Sequence, residues 1–274
     1  KTWHIYQRAK KKKELIYIVS YPKTGRTWLR YFLACYTAEL KNIDMDITLA
    51  SMFTLYPNDT EDSEKGRKAF NTLLRNDVPL IQFSHACYQD EFACSKTLHI
   101  LRSIPDILVS EYFHFNQHLS NNNIAISDYL FKGKHQGVYR LCNYLNTWAK
   151  QPQGKQTLSI SYESMHQKPE LIFVKVLKFL NIEIDESILK RDIEHSSFDN
   201  MANQEKKTRI PGHVYEYANP TARRVRKGLI DDYKNVLDEA TIAKIHQICN
   251  NTLTSSAKQR LAFHKLWPPT KKDA

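Results

Sequence analysis

Apolar positions along the chain fall into short blocks separated by polar turns, and the first block is the most informative. Glu14 to Ser20 is nearly all apolar and rich in β-branched and aromatic residues, so both faces of the segment need cover. That pattern predicts a strand inside a parallel sheet rather than one with a wet face. Tyr21 to Arg26 contains a Pro and a Gly and reads as a turn. Thr27 to Leu40 runs without Pro or Gly and is apolar almost all round, which predicts a buried helix. Strand, tight loop and helix open a βαβ unit.

The alternation recurs downstream. Leu80 to Ser84 and Thr97 to Leu101 predict two more short buried strands. The second leads into a helix capped by Ser103, with Pro105 in its first turn, that continues to about His118. Thr157 to Tyr162 is a fourth predicted strand, followed by a helix from near Pro169 through Leu180. Asp185 to His195 and Asp238 to Cys249 read as amphipathic helices. Ser196 to Leu229 has little periodicity and is expected to be a long functional loop.

Strands alternating with helices predict an α/β fold: a single domain over 1–274, with a central parallel sheet flanked by helices. Residues 1–13 would form a lead-in and 265–274 a C-terminal tail. The polar stretches 42–76 and 120–137 are weakly patterned. Because ligands in such sheets sit beyond the carboxyl ends of the strands, these stretches are expected to wall a ligand site.

Composition narrows the picture. At 42% apolar and 25% charged residues the chain can bury a core and is not disordered. The longest apolar run near its start, Leu15 to Val19, has five residues, so neither a membrane span nor a retained secretory signal is expected. The formal charge is +11, and residues 1–13 alone hold six basic residues and no acid. A basic lead-in on a mildly basic body suggests anionic ligands. The run Lys10 to Lys13 also reads as a solvated approach to the first strand. The five cysteines show no C-x-x-C spacing, which predicts free thiols in a reducing, cytoplasmic compartment rather than a disulfide framework or a zinc site.

Three segments carry candidate chemistry. In Tyr21 to Trp28, a loop joins a buried strand to a buried helix, and the helix N-terminus offers N–H groups and a positive dipole end to an anion. Lys23 adds a mobile charge, Thr24 and Thr27 add hydroxyl donors, and Gly25 permits close backbone approach. The segment does not match G-x-x-x-x-G-K-[ST], which disfavours a Mg-dependent NTPase but not a phosphate cradle. A plain βα turn is the other reading. Arg102, at a predicted strand end, is suited to fork onto a phosphate, with Ser110 as a second donor. A strand-end Arg also serves as a surface ion pair. Arg223 to Gly228 packs four cations before a glycine and suits either a phosphate or a solvated basic, nucleic-acid-binding loop.

Together these segments make the chain resemble the sulfotransferases that use 3′-phosphoadenosine 5′-phosphosulfate (PAPS). The family's phosphosulfate loop, Tyr-Pro-Lys-x-Gly-x-Thr-Trp, corresponds to Tyr21 to Trp28. Its Arg with Ser eight residues on, which holds the 3′-phosphate, corresponds to Arg102 and Ser110. Its Arg-Lys-Gly element corresponds to Arg226, Lys227 and Gly228. The adenine-side elements correspond to Tyr162 in Ser161-Tyr-Glu163 and to Ser196-Ser-Phe198 with Met201. The resemblance implies a P-loop-like fold of the nucleotide-kinase type. It implies a donor site built from Lys23, Thr24, Gly25, Arg26, Thr27, Trp28 and the other matched residues, with 3′-phosphoadenosine 5′-phosphate (PAP) as product and no metal.

It also implies a base. In the family a His after the second strand takes the acceptor proton, and His85 occupies that place, with Lys23 assisting catalysis. A hydroxyl is a poor nucleophile until its proton has somewhere to go, and imidazole titrates near working pH. The implied acceptor is a small molecule or carbohydrate offering a hydroxyl or an amine, with no nucleic acid as partner. The chain also departs from the family. Phe83 stands where many relatives carry Lys two residues before the His, Arg26 resembles bacterial members, and Asp231 and Tyr233 replace a usual Gly and Trp. The short dimerisation motif of animal relatives is not recognisable. The rival readings are a P-loop nucleotide kinase and a basic nucleic-acid-binding module.

Overall fold

The computed structural model describes residues 15–56, 77–118, 124–132, 136–152, 154, 156–208, 210 and 227–267. Strand β1 (Ile16–Ser20) lies inside a four-stranded parallel sheet with β2 (Ile81–Ser84), β3 (Lys96–Leu101) and β4 (Thr157–Ser161) in the order β2-β1-β3-β4. Ile18 stands in register with Phe83 on one side and Leu98 on the other. Successive β1 residues feed two separate cores. Ile16 and Ile18 pack on one face of the sheet, and Leu15, Tyr17 and Val19 pack on the other. That two-sided burial explains the uninterrupted apolar run.

Helix α1 (Arg26–Leu40) follows the first loop, and every residue from Leu29 to Ala38 is buried. Its Arg30 is 2% exposed and lies between the rings of Phe53 and Phe83, 4.4 and 4.2 Å from their centres. The short helices α2 (Met52–Leu55) and α3 (Asp90–Ala93) flank β2 in sequence. Helix α4 (Ile104–His118) follows β3, with Pro105 in its first turn as expected and the Ile107 N–H donating to the Ser103 carbonyl at 3.0 Å. Next come α5 (Ile126–Phe131) and α6 (Gly137–Trp148). Trp148 is fully buried, and its indole N–H donates to the Ala86 carbonyl at 3.0 Å, tying α6 to the segment after β2.

The predicted fourth strand ends one residue early. Ser161 and Ser164 exchange hydrogen bonds in a capping box, so Tyr162 opens α7 (Tyr162–Gln167) instead of closing β4. Helix α8 (Pro169–Leu180) has the bounds expected for it. Asp185 caps α9 (Glu186–His195). Asp238 caps α11 (Glu239–Thr252), whose chain-order predecessor is α10 (Phe198–Lys207). Helix α12 (Ser255–Phe263) closes the described order.

Three expectations are corrected. The supposed loop 196–229 contains α10, a polar helix that buries Met201 and Glu205. The stretches 42–76 and 120–137 contain α2 and α5. Residues 57–76, 119–123, 133–135 and 211–226 lie outside the described residues, as do the lead-in 1–13 and most of the C-terminal tail. Among the described residues no helix is long and apolar enough to cross a membrane.

Candidate active site

The loop after β1 is shaped by two left-handed residues, Lys23 at φ 71° and Gly25 at φ 92°. Between them the Thr24 hydroxyl turns back and donates to the Tyr21 carbonyl at 2.9 Å. Gly25 caps α1, and a Cβ there would come within 2.6 Å of the Tyr162 ring, so only glycine lets loop and ring touch. The first-turn N–H groups of α1 have no acceptor within the helix and leave an anion-attracting end.

This loop borders a cavity of about 410 Å³. Lys23, Gly25, Arg26, Thr27 and Trp28 line it from the loop, Arg102 and Ser110 from the β3–α4 unit, and Tyr162 from α7. Phe198 and Met201 line it from α10, followed by Lys227 and Gly228. Arg102 stitches these pieces together. Its guanidinium donates to the Lys23 carbonyl at 2.9 Å and to the Leu229 carbonyl at 3.2 Å, and lies 4.2 Å from the Tyr162 ring centre. Its Nε is buried without a hydrogen-bond partner, as is the indole nitrogen of Trp28.

The segment after Gly228 is anchored by Asp106, whose carboxylate accepts the N–H groups of Asp231 at 3.0 Å and Tyr233 at 3.2 Å. The Lys227 ammonium bonds to Asp232 at 2.9 Å. On the aromatic side, Trp28 meets Tyr162 edge-on at 6.1 Å, and His166 bonds to the Tyr162 hydroxyl at 3.0 Å. Burial, aided by Arg102, holds the His166 imidazole below its usual range.

His85 follows β2 and lines the same cavity. Its Nδ1 lies 2.7 Å from the carbonyl oxygen of Ser20, the last residue of β1. A carbonyl only accepts, so the Nδ1 proton is fixed there and Nε2 carries the basic lone pair of the neutral ring.

Of the residues expected in the site, Thr24 and Ser196 do not line the cavity. The Thr24 hydroxyl is spent inside its loop, and Ser196 is fully buried at the end of α9, donating to the Ile193 carbonyl at 3.3 Å. Arg226 lies outside the described residues. Sequence reasoning missed Glu111, His114, Phe115, Tyr129, Arg140, His166 and Asp232, all of which line the cavity. Glu111 had a signal: it is an acid set in a strongly apolar helical stretch. Both its oxygens lie 3.1 Å from the Tyr21 hydroxyl, and burial raises its carboxyl above the ordinary range against the pull of Arg140.

The family model for the sulfotransferase domain matches residues 13–257, most of the chain. The chain belongs to the sulfotransferase family. Dog sulfotransferase 1B1 is 24% identical, with 94% of this chain and 89% of the relative covered. Sulfotransferase 2A1 of Macaca fascicularis is 22% identical, with 90% and 87% covered. Among solved structures, retinol dehydratase in complex with androsterone and the inactive cofactor PAP superposes with a TM-score of 0.66 at 16% identity, covering 91% of this chain and 85% of that one. A mouse sulfotransferase complexed with PAP gives 0.60 at 18%, covering 90% and 88%. These likenesses bear out the P-loop-like α/β fold. In this sulfotransferase domain Phe83 is fully buried in the core, so the position two residues before His85 supplies neither a charge nor a wall to the cavity. Among the described residues no group of three or more His, Cys, Asp or Glu is arranged to hold a metal ion.

Proposed function

We propose that the chain transfers a sulfuryl group from PAPS to a hydroxyl of a small-molecule acceptor, with His85 as base. One observation carries the reading: cationic side chains from three segments distant in sequence, Lys23, Arg102 and Lys227, open on a single cavity that His85 also lines. At about 410 Å³ that cavity lies in the range of roughly 300–1,000 Å³ usual for small-ligand sites.

The residues fit the donor. Two cavity-wall nitrogens, Arg102 Nε and Trp28 Nε1, are buried without partners, and Gly25 and Gly228 let the cavity-lining Tyr162 and Phe198 rings pack where a Cβ would collide with them. In this reading Arg102, Ser110 and Lys227 hold the 3′-phosphate, with Arg226 joining them. Trp28, Tyr162, Phe198 and Met201 surround the adenine, while Lys23, Gly25, Arg26 and Thr27 hold the phosphosulfate. Thr24 contributes through its backbone, and Ser196 supports α10 from behind. When bound, PAPS supplies an activated sulfur whose bond to the phosphate oxygen breaks as a bond to the acceptor oxygen forms.

The chain's work is positioning and charge. His85 Nε2 takes the proton that the acceptor hydroxyl loses. Lys23 and the first-turn N–H groups of α1 stabilise the negative charge gathering on the departing phosphate, as preorganised donors do best in a dry site. Cationic side chains neutralise that charge without a metal. The cysteine usage supports a reducing, cytoplasmic setting, since all five thiols are free and Cys142 and Cys249 lie buried 3.7 Å apart. Calorimetry with PAP, followed by transfer of radiolabelled sulfate from PAPS to a panel of hydroxylated acceptors, tests the proposal. Tight PAP binding and labelled product are expected. A protein that binds Mg-ATP but not PAP would overturn it in favour of a nucleotide kinase.

A further inference from the structure

The cavity has a second wall that the donor residues do not account for. It is built from α4, α5 and α6, and its polar members include Glu111, His114, Tyr129 and Arg140. Glu111 is the neighbour of Ser110, and successive helical residues point about 100° apart, so this wall turns away from the 3′-phosphate end.

Within the wall, acid and base are unequally satisfied. The Glu111 side chain is 8% exposed. Its two oxygens accept from the Tyr21 hydroxyl at 3.1 Å each, and Tyr129 hydrogen-bonds to the same carboxylate. Arg140 is different. Its side chain is 52% exposed, and its polar contact among the described residues is a single 3.6 Å approach of Nη1 to Glu111 Oε1, with the Tyr21 ring centre 5.7 Å away. A guanidinium carries five N–H donors in a planar fork suited to a carboxylate. Glu111 and the Tyr21 ring hold that fork at the cavity edge, half exposed, with most of its donors facing solvent and open to a ligand. Beside it the Phe115 and Tyr129 rings lie 5.3 Å apart and offer flat apolar surface.

We propose that Arg140 recognises a carboxylate on the acceptor, so that the substrate is a hydroxylated, ring-bearing acid rather than a neutral phenol or steroid. This rests on the sulfotransferase reading for the hydroxyl end, while the charge preference belongs to the Arg140 wall alone. An acceptor amine drawn to Glu111 is the competing outcome, and the buried, doubly bonded carboxylate argues against it.

The test is calorimetric titration of the PAP-loaded protein with three probes sharing one scaffold: 4-hydroxyphenylacetate, its methyl ester and tyramine. The carboxylate should bind at least about tenfold more tightly than the ester, as a charge-assisted contact at a half-exposed site gives. Tyramine should bind most weakly. Arg140→Met should erase the carboxylate's advantage while the ester's affinity stays within about twofold, and Arg140→Lys should restore part of it. Equal binding of acid and ester, a preference for tyramine, or a preference that survives Arg140→Met each overturns the proposal. If PAP itself does not bind, the donor reading fails, and the same titrations on the unloaded protein still decide the Arg140 preference.

Discussion

Gly228 lies against the face of Phe198 so closely that a Cβ on the glycine would sit 2.2 Å from a ring carbon. The contact joins the segment after Lys227 to the first residue of α10, and Gly228 is held at φ 68°, where side chains are strained. Gly228→Ala therefore has to push the ring or the loop aside. PAP affinity should fall at least about tenfold, and the thermal midpoint should drop by a few degrees. An alanine variant that binds PAP like the wild type would mean that neither Phe198 nor Gly228 contributes to the donor site.

Arg102 has a structural and a ligand-binding share that substitution can separate. Its terminal nitrogens already hold two backbone carbonyls, so Arg102→Ala loses the stitch between the Lys23 loop and the Leu229 segment as well as a cation. Arg102→Lys keeps the charge and loses the fork. By calorimetry Arg102→Ala should weaken PAP by about 1.5–3 kcal/mol, and Arg102→Lys should recover only part of that. Full recovery by lysine would reduce the residue's role to charge alone.

The β1–loop–α1 unit was legible because its signals agree: a two-faced apolar run, Pro22 and Gly25 in the turn, then an apolar helix. The starts of α8, α9 and α11 were equally plain, each marked by a proline or a capping acid. Helix α10 was hidden by composition. Phe198, Met201 and Glu205 have helical spacing, but one of the three is an acid among Asn, Gln and Lys, so the apolar stripe is too thin to register. Helix α6 carries a clear stripe in Val138, Leu141, Cys142, Leu145 and Trp148, and the polar stretch before it obscures where it begins. The cavity's motif residues could be read one segment at a time. The Arg140–Glu111 pair could not, because nothing local links two residues that meet only when α4 packs against α6.

Asp192 offers a pH test of the fold away from the cavity. It is a buried carboxyl on α9 whose Oδ2 has no hydrogen-bond partner, and burial pushes it up from 3.8 to about 6, partly opposed by Arg191. In the unfolded chain it ionises first. Stability is therefore highest below pH 4 as far as this group is concerned, falls as pH rises through about 6, and stays lowered above. Allowing for solvent screening, the loss is on the order of 1–2 kcal/mol. Asp192→Asn should gain on the wild type in thermal midpoint by a few degrees more at pH 8 than at pH 4. A gap that does not change with pH would show that the carboxyl does not titrate with folding.

His85 separates chemistry from binding. The Ser20 carbonyl, 2.7 Å from Nδ1, fixes the tautomer that leaves Nε2 as the base. His85→Ala should lower kcat for an alkyl alcohol by about 10²–10⁴-fold and leave PAP affinity nearly unchanged. A phenol of low pKa releases its proton more readily and should be partly spared. Lys23→Ala should differ in kind, weakening PAP as well as slowing turnover, because Lys23 lies on the donor loop. Glu111 is another acid–base group on the cavity wall beside His114 and His166, and its raised carboxyl is bonded to the Tyr21 hydroxyl. Glu111→Gln should therefore cost far less turnover than His85→Ala. If the order is reversed, with His85→Ala turning over an alkyl alcohol at near-normal rate and Glu111→Gln inactive while both still bind PAP, the base is Glu111 and His85 is a structural link between β1 and β2.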